Sequence, residues 1–185
     1  MPATRSRTRL IGHLRRHAVR TDGPFTLRSG EVSDWYIDAR QTTFDGVGAR
    51  LVGEAVLAVL DSSIDAVGGL TMGADPIAIA TAIASGTDDR PLRAFSIRKD
   101  AKDHGTGGRL VGPLRAGDHV AVVEDTTTTG SAILEAVGVL EGLGVDLVQA
   151  ISLVDRSNGV VADRLTERGI AYTALAIPSD LGVGP

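Results

Sequence analysis

The sequence predicts an α/β domain with an open, mostly parallel twisted sheet flanked by helices. Three observations carry that expectation. Short β-type runs alternate with helical segments of about 10–15 residues along most of the chain, the pattern of strand–helix–strand crossovers. Glycine makes up 23 of the 185 residues, and several fall where a strand-like run gives way to a helix. The length is that of one domain, burying roughly 70% of its surface on folding, and no repeat, low-complexity tract or linker divides it. Residues 1–185 are therefore expected to form a single domain.

The elements follow in order. Residues 1–20 hold six arginines and no acid, a composition also found in mitochondrial transit peptides. Leu10, Ile11, Leu14 and Ala18 nevertheless share one face at helical spacing, and the segment runs straight into patterned sequence, so a first helix is expected. Phe25–Leu27 and Trp35–Ile37 read as short strands flanking the turn-like Arg28-Ser29-Gly30. Helix and strand then alternate. Gly46–Leu60 carries Val47, Leu51, Val52, Ala55, Val56 and Val59 as an apolar stripe, and Ile64–Val67 is a strand. Asp75 and Pro76 read as N-cap and first residue of a helix reaching about Ser85. Leu92–Ile97 is the next strand, and residues 98–112, polar and without period, are expected to be a long loop. Strand His119–Val123, helix Ser131–Leu143, strand Val145–Val154, helix Gly159–Arg168 and strand Ile170–Ile177 complete the chain. Open sheets of this kind bind ligands at the carboxyl ends of their strands.

Composition removes several function classes. With no cysteine there is no disulfide scaffold, cysteine nucleophile or thiolate zinc site, which fits a reducing compartment. A net charge of −4 and six aromatic residues argue against a nucleic-acid binder. No stretch approaches the roughly 18 apolar residues of a membrane helix, and a cytoplasmic location is expected.

Neither a Gly-x-Gly-x-x-Gly turn nor a P-loop lysine pattern occurs. The strongest local feature is Val120-Ala-Val-Val-Glu124-Asp125-Thr126-Thr127-Thr128-Thr129-Gly130-Ser131-Ala132. A strand brings two adjacent carboxylates to its carboxyl end, a hydroxyl-rich turn follows, and a helix begins. Unpaired N–H groups and the positive dipole end make that helix start a seat for phosphate. Acids beside such a seat suit a ribose phosphate, the acids taking the diol and the amides the 5′-phosphate. The plainer alternative is a strand-to-helix turn with hydroxyl caps, but holding two acids together without a partner is costly.

The second feature is Arg98-Lys99-Asp-Ala-Lys102-Asp-His104-Gly105, in which Lys99 and Lys102 are the only lysines among 19 basic residues. Their pairing suggests a need for compact ammonium charge, against the alternative of a solvated basic loop. Gly68–Pro76 is a further glycine-lined strand end able to approach an anion, and Arg156 lies at another strand's carboxyl end, where a guanidinium can grip a carboxylate or form a surface salt bridge.

Together these segments, from Phe25-Thr-Leu-Arg28-Ser-Gly30 through Asp155-Arg156, resemble the orotate phosphoribosyltransferases, members of the type I phosphoribosyltransferase family. The Glu-Asp-x-x-x-Thr-Gly core marks phosphoribosyl diphosphate binding in general, and the Arg-Lys-x-x-Lys-x-His-Gly run is more specific to the orotate enzymes. The resemblance implies the type I fold with a small N-terminal hood of helix and short strands. It implies transfer of the 5-phosphoribosyl group from phosphoribosyl diphosphate to orotate, in pyrimidine biosynthesis. It implies Mg²⁺ held mainly by substrate oxygens and water, and a homodimer whose lysine loop closes on the neighbour's site. By position, Glu124 and Asp125 would hold the ribose hydroxyls and Thr126–Ala132 the 5′-phosphate. Arg98, Lys99, Lys102 and His104 would meet the diphosphate, with Lys102 nearest the leaving group, and Thr128 and Arg156 would contact orotate. Arg28 stands where the family often has lysine, which keeps the charge and changes its geometry. Two rivals share the carboxylate motif. An enzyme for another base should lack the Lys102/His104 run, and a non-catalytic sensor of phosphoribosyl diphosphate could dispense with the lysines and Arg156.

Overall fold

The computed structural model describes residues 2–26, 30, 32–87, 91–102 and 108–184. Helix α1 (Pro2–His17) leads into four two-residue strands, β1 (Val19–Arg20), β2 (Phe25–Thr26), β3 (Val32–Ser33) and β4 (Tyr36–Ile37). Helices α2 (Arg40–Thr43) and α3 (Gly46–Leu57) follow, then β5 (Ala66–Leu70), α4 (Ala74–Ala84), β6 (Arg93–Lys102) and β7 (Gly108–Val111). The remainder is β8 (His119–Thr127), α5 (Ser131–Leu140), β9 (Asp146–Asp155), α6 (Val160–Thr166), β10 (Ala171–Ala176) and α7 (Pro178–Leu181).

Six strands form one sheet in the order β10-β9-β8-β5-β6-β7, every neighbouring pair parallel except β6 with β7. Alternation along β8 sorts the two faces. Ala121 and Val123 join Leu10, Leu14, Val52, Val56 and Ile77 in a core beneath α1, α3 and α4. Val120 and Val122 join Phe95, Ile133, Val137, Leu140 and Leu165 in a second core beneath α5 and α6. Each such side chain, buried fully, stabilises the fold by about 1.5–3 kcal/mol. The expected α/β open sheet is therefore present, and Leu10 and Leu14 make α1 part of its core.

Several elements differ from the sequence expectation. The strand predicted at 64–67 starts at Ala66 and continues through Gly68 and Gly69 to Leu70. Those glycines are buried between strands, where a Cβ would stand 2.2 Å from the Phe95 carbonyl oxygen or 2.4 Å from that of Val123. Helix α4 is capped by Gly73, not Asp75, whose carboxylate instead accepts the Thr71 hydroxyl at 2.6 Å.

Of the expected loop at 98–112, residues 98–102 and 108–111 are strand, and 103–107 lie outside the described residues. β6 runs on to Lys102 and pairs with β7 (Ile97 with Leu110, Lys102 with Gly108), with a register shift between. In the hood the two expected short strands are present as β2 and β4, with Leu27 outside the described residues; β2 pairs with β3, and β4 with β1. Asp45 caps α3 by accepting the Val47 and Gly48 amides, and His13 of α1 reaches the same carboxylate at 3.2 Å, locking the hood onto the sheet domain.

Candidate active site

β8 outruns the expected strand, so Glu124 and Asp125 lie inside its ladder, with Glu124 opposite Ser152 and Thr127 opposite Asp155 of β9. Adjacent strand residues point to opposite faces, yet these two carboxyls converge on Gly73. The turn into α4 leaves the room for this. A Cβ on Gly73 would stand 2.9 Å from Glu124 Oε1 and 3.0 Å from Asp125 Oδ1. Glycine here lets a backbone turn close over two acids.

Glu124 is 8% exposed. Burial, followed by the neighbouring Asp125 charge, pushes its carboxyl up to about 9, and the attraction of Lys99 only partly opposes this. At neutral pH Glu124 therefore keeps its proton and stands as a donor next to the Asp125 carboxyl. That combination suits a vicinal diol, whose hydroxyls both donate and accept.

Beyond the pair, the chain turns through Thr126–Gly130 into α5. Gly130 adopts φ +76°, and its α-hydrogen side faces Val161 so closely that a Cβ would approach Val161 Cγ2 to 2.8 Å. Two separate reasons thus require glycine there. The first turn of α5 carries no acid, so its positive end is uncompensated. The Thr126 hydroxyl is buried and has no hydrogen-bond partner among the described residues, a costly arrangement unless a ligand or water completes it.

Thr126–Ala132 line a cavity of about 1230 Å³, roofed by Ser33, Trp35 and Tyr36 of the hood and closed by Arg156. Asp155 fixes the Arg156 turn by accepting the Ser157 amide at 2.6 Å, and the Arg156 amide donates to the Thr127 carbonyl at 2.8 Å. The Arg156 guanidinium stacks over the Trp35 ring at 4.3 Å. A second cavity of about 370 Å³ adjoins the first through Ser131 and Ala132 and is lined by Thr71, Lys99, Glu124 and Glu135.

The structure thus brings Glu124, Thr126–Ala132, Lys99 and Arg156 around two joined cavities, with the Asp125 carboxyl next to Glu124 under Gly73. Arg98, next to Lys99 on β6, is not among the residues lining either cavity. Lys102 ends β6 as a backbone position, and Arg28 and His104 lie outside the described residues. Thr71 belongs to the Gly68–Pro76 segment singled out in the sequence, whereas Trp35 and Tyr36 were missed as site residues. A lone tryptophan just before a two-residue strand carries no periodic or motif signal, and only the folded hood sets it under the Arg156 guanidinium.

No family model matches the chain. Curated relatives do. The chain is 45% identical over 163 residues to an orotate phosphoribosyltransferase of Corynebacterium glutamicum, covering 87% of this chain and 86% of that protein. It is 40% identical over 178 residues to that of Streptomyces coelicolor, covering 96% and 97%. The fold superposes on the orotate phosphoribosyltransferase of Mycobacterium tuberculosis, solved with Fe(III) dicitrate, with TM-score 0.82 and 38% identity over 96% of this chain and 99% of that one. The same enzyme solved with 5-phospho-alpha-D-ribosyl 1-diphosphate gives TM-score 0.76 and 32% identity over 96% and 92%. Identity of this extent, over nearly the whole of both chains, means that the chain belongs to the orotate phosphoribosyltransferase family.

Proposed function

We propose that this protein transfers the 5-phosphoribosyl group from phosphoribosyl diphosphate to orotate, giving orotidine 5′-phosphate and diphosphate. The observation that carries this reading is the junction of an acid pair with a helix-start phosphate seat in one cleft. In this reading Glu124 and Asp125 grip the ribose diol, while Thr126–Thr129 hydroxyls and the Gly130–Ala132 amides hold the 5′-phosphate. Thr128 and Arg156 hold orotate, Arg156 pairing with its carboxylate while stacked on Trp35. Lys99 and Lys102 face the diphosphate, joined by Arg98, His104 and Arg28 as the family pattern implies.

The C1–diphosphate bond breaks with its electrons leaving on diphosphate, and the orotate ring nitrogen bonds to C1 as its N–H proton passes to the departing diphosphate or to solvent. Positive charge grows on the ribose and negative charge on the leaving group. Asp125 stabilises the first and the lysines the second, each already in place before the bond breaks. Mg²⁺, a hard cation, would be held mainly by the substrate's phosphate oxygens and water, with the Glu124, Asp125 and Glu135 carboxyls nearby, and would supply further charge neutralisation on the diphosphate. The same reading includes a single catalytic domain, a cytoplasmic location and a homodimer in which the β6–β7 arm serves the partner's cleft.

The direct test is orotate consumption with phosphoribosyl diphosphate and Mg²⁺, with adenine, hypoxanthine and uracil as rival acceptors. Orotate is expected to be preferred by orders of magnitude. Equal use of another base, or binding of phosphoribosyl diphosphate without any transfer, overturns the reading in favour of another base specificity or a sensor.

A further inference from the structure

Helix α6 stands behind the phosphate seat and contributes no side chain to the expected substrate contacts. It nevertheless touches that seat twice. Val161 fills the space where Gly130 would carry a Cβ, and Arg164 Nη1 donates to the Thr129 carbonyl oxygen at 2.9 Å. The helix is itself tied to the other end of the cleft, because the Ser157 hydroxyl accepts the Val161 amide at 3.2 Å, next to Arg156.

The peptide between Thr129 and Gly130 is trans, so its C=O and N–H point in opposite directions. Holding the carbonyl outward toward α6 turns the Gly130 N–H toward the cavity that Thr129 and Gly130 line. We infer that Arg164 is a positioning residue for the reaction: by anchoring the Thr129 carbonyl it presets the Gly130 amide to receive the substrate's 5′-phosphate. This rests on the proposed transferase reading and extends it to a residue some distance outside the cleft. Without that anchor the Thr129–Gly130 peptide is free to rotate, since glycine imposes little of its own preference, and each binding event has to order it again. The loss falls on the phosphate end of the substrate alone.

Calorimetric titration of ribose 5-phosphate and, separately, of inorganic diphosphate with Mg²⁺ tests this on the full chain. Arg164→Ala is expected to weaken ribose 5-phosphate about five- to tenfold and to leave diphosphate affinity unchanged, as for loss of one hydrogen bond. The KM for phosphoribosyl diphosphate rises in parallel while that for orotate stays put. Arg164→Lys, which retains a donor, recovers part of the loss. Arg168→Ala is the control, because it removes a nearby cation, just past the end of α6, whose partner is Glu141 at the far end of α5, away from the seat. Unchanged ribose 5-phosphate affinity in Arg164→Ala overturns the inference. So does an equal loss for both ligands, or the same loss in Arg168→Ala. If the unaltered protein binds no ribose 5-phosphate, the transferase reading itself falls.

Discussion

Replacing Glu124 by glutamine separates what the acid does for stability from what it does for turnover. The carboxyl is 8% exposed and is pushed up to about 9 by burial and by Asp125, against an ordinary value of 4.5. Because the folded value is the higher one, the folded state keeps the proton while the unfolded chain releases it. The stabilising contribution is complete below pH 4.5 and declines as pH rises toward 9. In that window each pH unit moves the folding equilibrium about tenfold against the wild type. By pH 8 the accumulated cost is on the order of 4–5 kcal/mol as a ceiling, which water entering the cleft and partial relaxation of the pair reduce. Glutamine copies the protonated acid in shape and cannot ionise. Glu124→Gln is therefore expected to be more stable than wild type by about 2 kcal/mol at pH 8, a Tm rise of about 4–8 °C, with no gain at pH 4. The measurement is thermal or urea unfolding of both proteins, without ligand, from pH 4 to 8.5. Turnover in the same preparation should fall, since the amide cannot give up a proton to meet the positive charge that grows on the ribose. A difference that does not change with pH, or a less stable variant at pH 8, refutes the reasoning about the buried proton.

Three further outcomes are expected. Gly73→Ala places a methyl 2.9 Å from Glu124 Oε1, the movable end of a side chain, so melting should shift by no more than about 1 kcal/mol while turnover drops at least about tenfold; wild-type turnover would show that the acids need no fixed position. Arg93 meets Asp118 through two 2.7 Å hydrogen bonds that hold the Asp118 carboxyl below its usual range, and Arg93→Ala should cost about 2–3 kcal/mol at pH 7. That stability is present above pH 3.8 and lost as pH falls through the lower folded value, so the gap between the proteins should close in acid; an equal gap at pH 3 and pH 7 in urea unfolding contradicts it. Mixing inactive Lys102→Ala with inactive Asp125→Asn protein should restore about a quarter of wild-type activity if the arm serves the partner's cleft, because about half the dimers carry one intact site of two. No recovery after proven subunit exchange places the arm in its own cleft.

The parts of this molecule legible in the sequence are those where local pattern and tertiary role coincide. β8 reads as a buried run because both of its faces meet apolar cores, and the acids and threonines after it stand together in the chain as they do in space. Gly68 and Gly69 mislead for the opposite reason. Glycine weakens an isolated strand, and only the closeness of Phe95 and Val123 shows why nothing else fits. The paired ends of β6 and β7 hide from the sequence because an exposed ribbon needs no alternation of apolar and polar residues to form. Trp35 over Arg156 joins the hood to the far end of β9, a contact that no local window contains.

The tight glycines at the centre of the sheet also show where the protein can be hardened against heat. At Gly68, Gly69 and Gly73 any added atom meets backbone or the acids, so the middle of the molecule has no slack for engineering. Gly12 in α1 and Gly138 in α5 are different, because a methyl group at either would meet nothing within 4 Å. Alanine at each is worth about 0.5–1 kcal/mol through helix propensity and the stiffer unfolded chain. Thermal tolerance can therefore be raised from the outer helices inward, leaving the cleft and its geometry as they are.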